Sequence, residues 1–244
     1  AKLNLDLAVL ARTDDGYHDV RTHIQAVALH DLLELKPAER TTMTTSGAHR
    51  IDSEDNSVRK AHKALQDATG SELATAFHLD KRIPPGSGMG GASSDAAAAL
   101  RGLAAIHNIS ADLTKIAAGI GADVPFFLNG GAALAEGRGD RLTTLAAEPG
   151  WFGIAWPDIE LSTAAVYNAW DQAKPGDGPN QLCAAAAYVD PRIRDFAGRL
   201  GEGWQMTGSG SAFFIRCVDE RSARQAIAEL DCWTAATHSV GAWQ

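Results

Sequence analysis

The sequence is poor in the features that mark several classes of protein. Only three cysteines occur among its 244 residues, Cys183, Cys217 and Cys232, and none forms a Cys-x-x-Cys pair. This count and spacing argue against a disulfide framework and a zinc site, and they fit a reducing compartment. No apolar run reaches the roughly 20 residues of a membrane-spanning helix, and no basic-then-apolar signal opens the chain. We therefore expect a soluble, cytoplasmic protein.

Positive charge is also scarce. The 22 Lys and Arg residues are outnumbered by 30 Asp and Glu residues, which gives a formal net charge of −8. This balance argues against broad binding of nucleic acid, where a basic surface supplies the affinity. A local basic pocket for a small anion stays open. The length fits one large domain or two small ones that share a cleft, and Pro149-Gly150 predicts a division into residues 1–148 and 149–244.

The most informative stretch is rich in glycine and runs from Pro84 to Asp95. Four glycines within residues 86–91 allow the backbone to fold closely around a ligand. Two serines, an aspartate and an alanine run follow, which predicts a helix that begins near Ser94 and ends near His107. A helix N-terminus carries unpaired N–H donors and partial positive charge, so this stretch predicts a phosphate site.

Three interpretations of the glycine stretch compete. The Walker A pattern is absent, because no lysine follows the glycines. Gly86, Gly88 and Gly91 satisfy GxGxxG, but a dinucleotide loop needs a strand that leads directly into the first glycine. Here Pro84-Pro85 intervene. A structural turn that binds no ligand is the third interpretation, although four ordered glycines would then carry a large conformational cost.

Hydrophobic periodicity predicts alternating strands and helices along the whole chain. Strands are predicted over 1–10, 20–35 with a break near His30-Asp31, 73–79, 152–156, 211–218 and 233–238. Helices are predicted over 58–68, 94–107, 113–119, 163–170, 181–188, 191–200 and 220–230. Segment 37–53 is predicted to be a hairpin or loop, 121–125 a break, 126–145 short strands and 174–179 a loop.

The glycine stretch resembles the central phosphate-binding motif of the GHMP kinases, the superfamily of galactokinase, homoserine kinase, mevalonate kinase and phosphomevalonate kinase. Six further stretches resemble motifs that occur in the same order in one branch of this superfamily: Ala1-Lys2-Leu3-Asn4-Leu5, Asp15-Gly16-Tyr17-His18, Glu54-Asp55-Asn56, Asp80-Lys81-Arg82-Ile83-Pro84, Gly121-Ala122-Asp123-Val124-Pro125 and Thr207-Gly208-Ser209-Gly210-Ser211. Their combination is similar to one branch of the superfamily. That branch phosphorylates the 2-hydroxyl of a cytidine-diphosphate-linked methylerythritol, in the non-mevalonate (MEP) route to isoprenoid precursors.

The resemblance implies a two-domain α+β fold. An N-terminal domain like domain 2 of ribosomal protein S5 and a C-terminal ferredoxin-like α+β layer would enclose the active site in their cleft. ATP would donate the phosphoryl group, with Mg²⁺ bridging its phosphates. The expected partner is a small molecule that carries a cytidine diphosphate group, and neither nucleic acid nor a membrane. The protein would be a monomer or a homodimer.

The resemblance also implies roles for particular residues. Asp123 would take the proton from the substrate hydroxyl, and Lys2 would stabilise charge on the transferring phosphoryl group. The Ser94 hydroxyl would help to hold Mg²⁺, and Asp95 would either assist it or cap the helix. ATP would contact Pro84, Pro85, Gly86, Ser87, Gly88, Met89, Gly90, Gly91, Ala92, Ser93 and Ser94, together with Lys81 and Asn56. Asn56 is equally well explained as a helix N-cap.

On the acceptor side, the resemblance assigns the cytosine to Tyr17 and His18, by stacking and hydrogen bonds, with Tyr167 on the other face. Substrate contacts are further implied for Asn4, Thr163, Gly208 and Ser209. Tyr167 also fits the apolar face of a predicted helix, so a core role is an alternative. Met89 and His23 depart from the family pattern, where leucine and an apolar residue are usual.

Two other functions stay open at this point. A GHMP kinase could act on another small alcohol, such as homoserine or a mevalonate derivative, but those acceptors have no base for Tyr17, His18 and Tyr167 to bind. A catalytically silent paralogue could bind nucleotide as a sensor, but the presence of both Lys2 and Asp123 disfavours it.

Overall fold

Within residues 1–14, 16–49, 55–173 and 178–243, which the computed structural model describes, three β-sheets are covered by helices. The strands are β1 Lys2–Asn4, β2 Ala8–Arg12, β3 His18–Ala26, β4 Leu32–Pro37, β5 Thr42–Ser46, β6 Thr75–Asp80, β7 Ala132–Gly137, β8 Arg141–Leu145, β9 Trp151–Trp156, β10 Gln205–Met206, β11 Phe213–Cys217 and β12 Trp233–His238. The helices are α1 Ser57–Thr69, α2 Gly91–Ile106, α3 Leu113–Ile120, α4 Val124–Asn129, α5 Thr163–Trp170, α6 Leu182–Val189, α7 Arg192–Leu200 and α8 Glu220–Ile227.

The first sheet places the start of the chain beside its centre. Its strand order is β1-β3-β7-β8, and β2 also pairs with β3. The β1–β3 register is antiparallel, with Lys2 opposite Ala26 and Asn4 opposite Ile24. The predicted strand over residues 1–10 is therefore two strands, and both pair with β3.

The second sheet has the order β4-β6-β5, with β5 parallel to β6. The prediction of a hairpin or loop over 37–53 is wrong for residues 42–46, which form β5. Its sequence, Thr-Met-Thr-Thr-Ser, has no apolar alternation, so only pairing with β6 reveals the strand. Residues 50–53 of that segment, Asp15 and Glu54 of two motifs, and residues 174–177 of the predicted loop lie outside the described residues.

The third sheet confirms the ferredoxin-like layer. Its order is β10-β11-β9-β12, so its four strands, numbered along the chain, lie in the order 2-3-1-4. Helices α5, α6 and α7 connect the first strand to the second, and α8 connects the third to the fourth. This is the β-α-β-β-α-β arrangement of the ferredoxin-like motif.

Apolar packing joins the two predicted halves of the chain. One core cluster combines Leu7 and Val20 with Val166 and Leu182. Another core cluster packs Met89 and other N-terminal residues against the third sheet. Both clusters therefore contain residues from either side of the predicted boundary at 148 and 149. Shared burial of this kind fixes how the two parts sit against each other.

Two helices near the glycine stretch differ from their predictions. Helix α2 begins at Gly91, three residues earlier than predicted, so the last glycine already belongs to its first turn. Helix α4 replaces part of the predicted break and strands, with Pro125 in its first turn, where proline is tolerated. Its sequence, Val-Pro-Phe-Phe-Leu-Asn, is a short apolar run that periodicity cannot distinguish from a buried strand. None of the described helices is long and apolar enough to span a bilayer.

Candidate active site

A cleft of about 410 Å³ lies where the glycine stretch meets both parts of the chain. Its walls come from β1, β3, the glycine stretch, the first turn of α2, the residues before α4, the β7–β8 turn and α5. Lining residues from the predicted sites are Lys2, Asn4, Lys81, Pro84, Pro85, Gly86, Ser87, Gly88, Gly90, Gly91, Ala92, Ser93, Asp123, Thr163, Tyr167, Gly208 and Ser209. The structure thus brings together residues that are up to 207 positions apart (from Lys2 to Ser209).

Two small-residue turns form one wall of the cleft by direct backbone contact. Gly88 has φ +77°, and a Cβ there would lie 2.3 Å from the Thr207 carbonyl oxygen. Gly208 has φ +57°, and its Cβ would lie 2.8 Å from the Gly88 carbonyl oxygen. The Ala212 amide also donates to the Ser87 carbonyl at 3.0 Å. Only glycine allows this approach, so the two turns hold each other in place.

Met89 is an exception within the glycine stretch. Its side chain is fully buried in the core cluster that packs against the third sheet, so it does not line the cleft. Its carbonyl oxygen accepts the Lys2 amide at 2.9 Å. The buried Met89 side chain therefore anchors the loop and its backbone positions β1, while a contact of Met89 with ATP stays a prediction.

Lys2 and Asp123 meet in the cleft. The Lys2 Nζ lies 3.8 Å from the Asp123 Oδ2, and it also donates to the Asn4 Oδ1. The Lys2 side chain is buried, whereas the Asp123 side chain is 41% exposed. Asp123 stands at the N-cap of α4, but its side chain makes no capping hydrogen bond. A partly exposed carboxylate beside a buried ammonium is an arrangement suited to accepting a proton from a bound hydroxyl.

Asn4 and a residue that the sequence did not single out hold Lys2 in place. The Asn4 Nδ2 donates to the Thr22 Oγ1 at 2.8 Å, and the Thr22 hydroxyl donates to the Asp6 carbonyl at 2.5 Å. The Asn4 amide donates to the Thr207 Oγ1 at 2.9 Å. Asn4 therefore orients the ammonium as well as lining the cleft. Thr22 looked like an ordinary strand residue, because nothing in its local sequence marks the hydrogen bond across strands.

Lys81 does not turn its charge towards the open cleft. Its Nζ donates to the Asp31 Oδ2 at 2.5 Å and to the Asp95 Oδ2 at 2.7 Å, and all three side chains are buried. The Asp31 Oδ1 also accepts the amides of Arg82 at 2.6 Å and Ile83 at 2.9 Å. This triad ties the approach of the glycine stretch to the first turn of α2. The contact of Lys81 with the nucleotide stays a prediction, and in this structure its ammonium is paired with the two carboxylates.

The triad predicts a pH dependence of stability. Burial raises the pKa of Asp95 from its ordinary 3.8 to about 7, although Lys81 opposes the shift. Between these two pH values the folded protein holds a proton on Asp95 that the unfolded chain has released, so the contribution of Asp95 to the free energy of unfolding should fall as pH rises towards 8. Urea unfolding at pH 5 and pH 8 measures this, and Asp95→Asn should flatten the difference.

The matched control for the triad is Asp67→Asn, which removes an exposed carboxylate from the ion pair with Lys63 on α1. This variant should keep the wild-type pH dependence. An Asp95→Asn variant whose stability still falls between pH 5 and pH 8 as in the wild type would contradict the assignment.

A smaller cavity of about 290 Å³ adjoins the cleft at the start of α2. Lys81, Ala92 and Ser93 line both spaces, and Asn56 lines the smaller one. The Asn56 Oδ1 accepts the Val58 amide at 2.9 Å, so this residue caps α1 and also faces a space beside the glycine stretch. The two interpretations of Asn56 are therefore compatible.

The two serines of α2 face different spaces. Ser93 lines the cleft and the smaller cavity beside it. The Ser94 hydroxyl donates to the Gly91 carbonyl at 2.7 Å, and Ser94 lines a separate cavity that also contains Asp31. The metal-holding role of Ser94 stays a prediction, and of the two serines Ser93 is the one that lines the cleft.

Aromatic rings form the other end of the cleft. The His18 ring stacks on Tyr167 with centroids 5.9 Å apart, and its Nε2 lies 3.0 Å from the Asp171 Oδ1. His18 is buried and does not line the cleft, whereas Tyr167 does. Burial, with the charge of Asp123, raises the pKa of the Tyr167 phenol. The His18 ring is thus held between Tyr167 and Asp171, and its contact with the cytosine stays a prediction.

Tyr17 and two hydroxyl residues complete the site. Tyr17 is 56% exposed, and the Arg138 guanidinium lies 4.0 Å from its ring centroid. The Thr163 Oγ1 lies 2.9 Å from the Ser209 Oγ, so these two cleft residues connect α5 with the 207–210 turn. Arg138 also lines the cleft, and it is not among the residues that the sequence assigns to the site.

Comparison with known proteins agrees with this geometry. Residues 56–131 match the family described as GHMP kinases N terminal domain. A 4-diphosphocytidyl-2-C-methyl-D-erythritol kinase of Caldicellulosiruptor saccharolyticus is 37% identical over 82% of this chain and 71% of that relative. The enzyme of the same name from Shewanella loihica is 35% identical over 94% of this chain and 87% of that relative.

Solved structures agree as well. A crystal structure of 4-(cytidine 5′-diphospho)-2C-methyl-D-erythritol kinase superimposes with a TM-score of 0.85 at 32% identity, and covers 99% of this chain and 97% of its own. The mevalonate kinase of Methanococcus jannaschii shares the fold, with a TM-score of 0.65 at 13% identity over 99% of this chain and 98% of its own.

Proposed function

The chain belongs to the 4-diphosphocytidyl-2-C-methyl-D-erythritol kinases, a branch of the GHMP kinases, and we propose from this premise how it acts. The reaction transfers the γ-phosphoryl group of ATP to the 2-hydroxyl of 4-diphosphocytidyl-2-C-methyl-D-erythritol. The products are the 2-phosphate and ADP. This step belongs to the MEP pathway of isoprenoid precursors.

One observation carries the proposal. The Lys2–Asp123 pair lies in a cleft that is lined by both the glycine stretch and Tyr167. We assign the ATP phosphates to the glycine stretch and the adenine to the smaller cavity that Asn56 lines. The acceptor lies between Asp123 and the aromatic end, in the cleft between residues 1–148 and 149–244. Thr163 and Ser209 line its path.

The chemistry follows from these placements. The 2-hydroxyl oxygen of the acceptor attacks the γ-phosphorus of ATP, and the Asp123 carboxylate accepts the hydroxyl proton. The bond between the γ-phosphorus and the bridging oxygen breaks, and that oxygen leaves on the β-phosphate of ADP. The Lys2 ammonium, oriented by Asn4, stabilises negative charge on the transferring group. Positioning and charge stabilisation supply most of the rate in phosphoryl transfer.

Mg²⁺ fits the donors that the cleft offers. The described residues contain no cluster of three or more His, Cys, Asp or Glu side chains that could hold a metal. Magnesium keeps waters and phosphate oxygens as ligands and needs few protein atoms. The Ser93 hydroxyl would hold it, because Ser93 lines the cleft beside the glycine stretch. When bound, Mg²⁺ neutralises charge on the β- and γ-phosphates.

An assay of ADP release with a panel of acceptors tests the function. The cytidine acceptor should support turnover, whereas homoserine and mevalonate should not, because they leave the aromatic end empty. Faster turnover of homoserine or mevalonate than of the cytidine acceptor would show that the proposed acceptor is wrong. No ADP release with any acceptor, together with retained nucleotide binding, would favour a silent paralogue.

Tyr17→Ala tests the acceptor end of the cleft. Removing this exposed ring should raise the KM for the cytidine acceptor about tenfold or more, because base–aromatic stacking contributes roughly 1–3 kcal/mol. The KM for ATP should stay within twofold of the wild-type value. Tyr188→Ala is the control, since Tyr188 is exposed to a similar extent but hydrogen-bonds to Gln172, whereas the Tyr17 ring contacts the cleft residue Arg138. Equal losses for both substrates would refute the assignment.

A further inference from the structure

The turn between β7 and β8 is built to carry one side chain at its tip. Gly137 and Gly139 have φ values of +66° and +90°, which favour glycine and allow a tight reversal of the chain. The Asp140 Oδ1 accepts the Arg138 amide at 3.2 Å, and the Glu136 carbonyl accepts the Gly139 amide at 3.1 Å. These bonds order the turn, so the position of Arg138 is set by the hairpin.

Arg138 belongs to both the cleft and its aromatic end. It is exposed and lines the same space as Lys2 and Asp123. Its guanidinium lies 4.0 Å from the Tyr17 ring centroid, within the range of a cation–π contact. A guanidinium stacked in this way keeps its N–H donors at its edge, where they can meet an oxyanion.

The charges around the cleft distinguish Arg138 from the two lysines. The charged residues of its lining are Lys2, Lys81, Asp123 and Arg138. Lys2 lies beside Asp123, where the phosphoryl group is transferred. The Lys81 ammonium is buried between two carboxylates. Of these three lining cations, Arg138 is the one that contacts an aromatic ring, that of Tyr17. Because the net charge of the protein is −8, an anionic acceptor needs such a local attraction.

We propose that Arg138 binds the diphosphate of the acceptor, an inference that rests on the proposed function. Its stacking contact with Tyr17 also holds the Tyr17 ring in position to stack on the cytosine base. The diphosphate connects the base to the reacting polyol, so it must lie between the aromatic end and the Lys2–Asp123 pair. An arginine fork binds phosphate oxygens through paired charge-assisted hydrogen bonds. Arg138 therefore distinguishes an acceptor with a diphosphate from a plain nucleoside.

Calorimetry with cytidine 5′-diphosphate and with cytidine tests this, in the presence of Mg²⁺ and a saturating non-hydrolysable ATP analogue. The wild-type protein should bind the diphosphate about tenfold more tightly than cytidine, and added salt should weaken this preference. Arg138→Gln should lower the affinity for the diphosphate about tenfold and change that for cytidine less than threefold. Arg138→Lys, which keeps the charge without the fork, should lie between them.

Arg141→Gln is the matched control, because Arg141 is exposed on the same hairpin and does not line the cleft. It should retain wild-type binding of both probes. A wild-type preference for the diphosphate in Arg138→Gln, or no such preference in the wild-type protein, would overturn the proposal. ADP release by the wild-type protein with the full acceptor tests the proposed function separately, so a failure of either idea can be recognised on its own.

Discussion

Asp123→Ala should lower kcat by about 10²–10⁴-fold while the protein still binds ATP and the cytidine acceptor. The Asp123 carboxylate lies 3.8 Å from the Lys2 Nζ, and its side chain makes no capping hydrogen bond to α4. Its removal therefore takes away the proton acceptor without removing a helix cap. Single-turnover kinetics and calorimetry with both ligands separate chemistry from binding.

A matched control comes from another helix N-terminus. Asp112 caps α3 by accepting the Lys115 amide at 3.1 Å, and it does not line the cleft. Asp112→Ala should lower the free energy of unfolding by about 1 kcal/mol and leave turnover intact. Asp112→Ala would thus lower stability and spare activity, whereas Asp123→Ala would lower activity. Turnover close to wild type in Asp123→Ala would exclude the proposed mechanism.

Gly88→Ala should be the most damaging single change in the glycine stretch. The added Cβ would lie 2.3 Å from the Thr207 carbonyl oxygen and 3.0 Å from the Gly210 nitrogen, at a residue with φ +77°. Both neighbours are backbone atoms, so the two turns must separate or the residue must change its conformation. We expect a loss of roughly 2–4 kcal/mol in the free energy of unfolding. The fraction of Gly88→Ala molecules that does fold should bind ATP more weakly.

Urea unfolding measures this loss, and Gly119→Ala is its control. Gly119 lies within α3, and a Cβ there would meet no atom within 4 Å. Alanine is the better helix former, so this variant should gain about 0.5–1 kcal/mol. The same substitution would then have opposite signs at two glycines. A Gly88→Ala protein as stable as the wild type would show that the contact between the turns is unimportant.

Much of the site could be predicted from local sequence. The glycine stretch and the serines after it indicate a phosphate-binding turn before a helix, because backbone freedom and capping depend on neighbouring residues. The predicted segments for α1, α5, α6, α7, α8 and most strands agree with the structure for the same reason. Among the residues that the family resemblance assigns, Lys2 and Asp123 do meet in the cleft.

Other features depend on which side chains meet across the fold, and local sequence does not predict them. Lys81 stands just before the glycine stretch, yet its ammonium pairs with Asp31, fifty residues away. Ser93 and Ser94 are adjacent and chemically identical, but the turn of α2 sends them to different spaces. Helix α4 is an apolar run whose helical state is set by tertiary packing.

The glycine stretch separates what local sequence determines from what only the tertiary structure determines. Its residues alone indicate a backbone turn for phosphate, since the absence of Cβ atoms and the start of a helix are local properties. Its partner turn, the bracing of Lys81 and the presence of Arg138 at the far end of the cleft emerge only in the folded chain. Those features depend on distances between segments that pack together through shared apolar cores, and no local pattern encodes such distances.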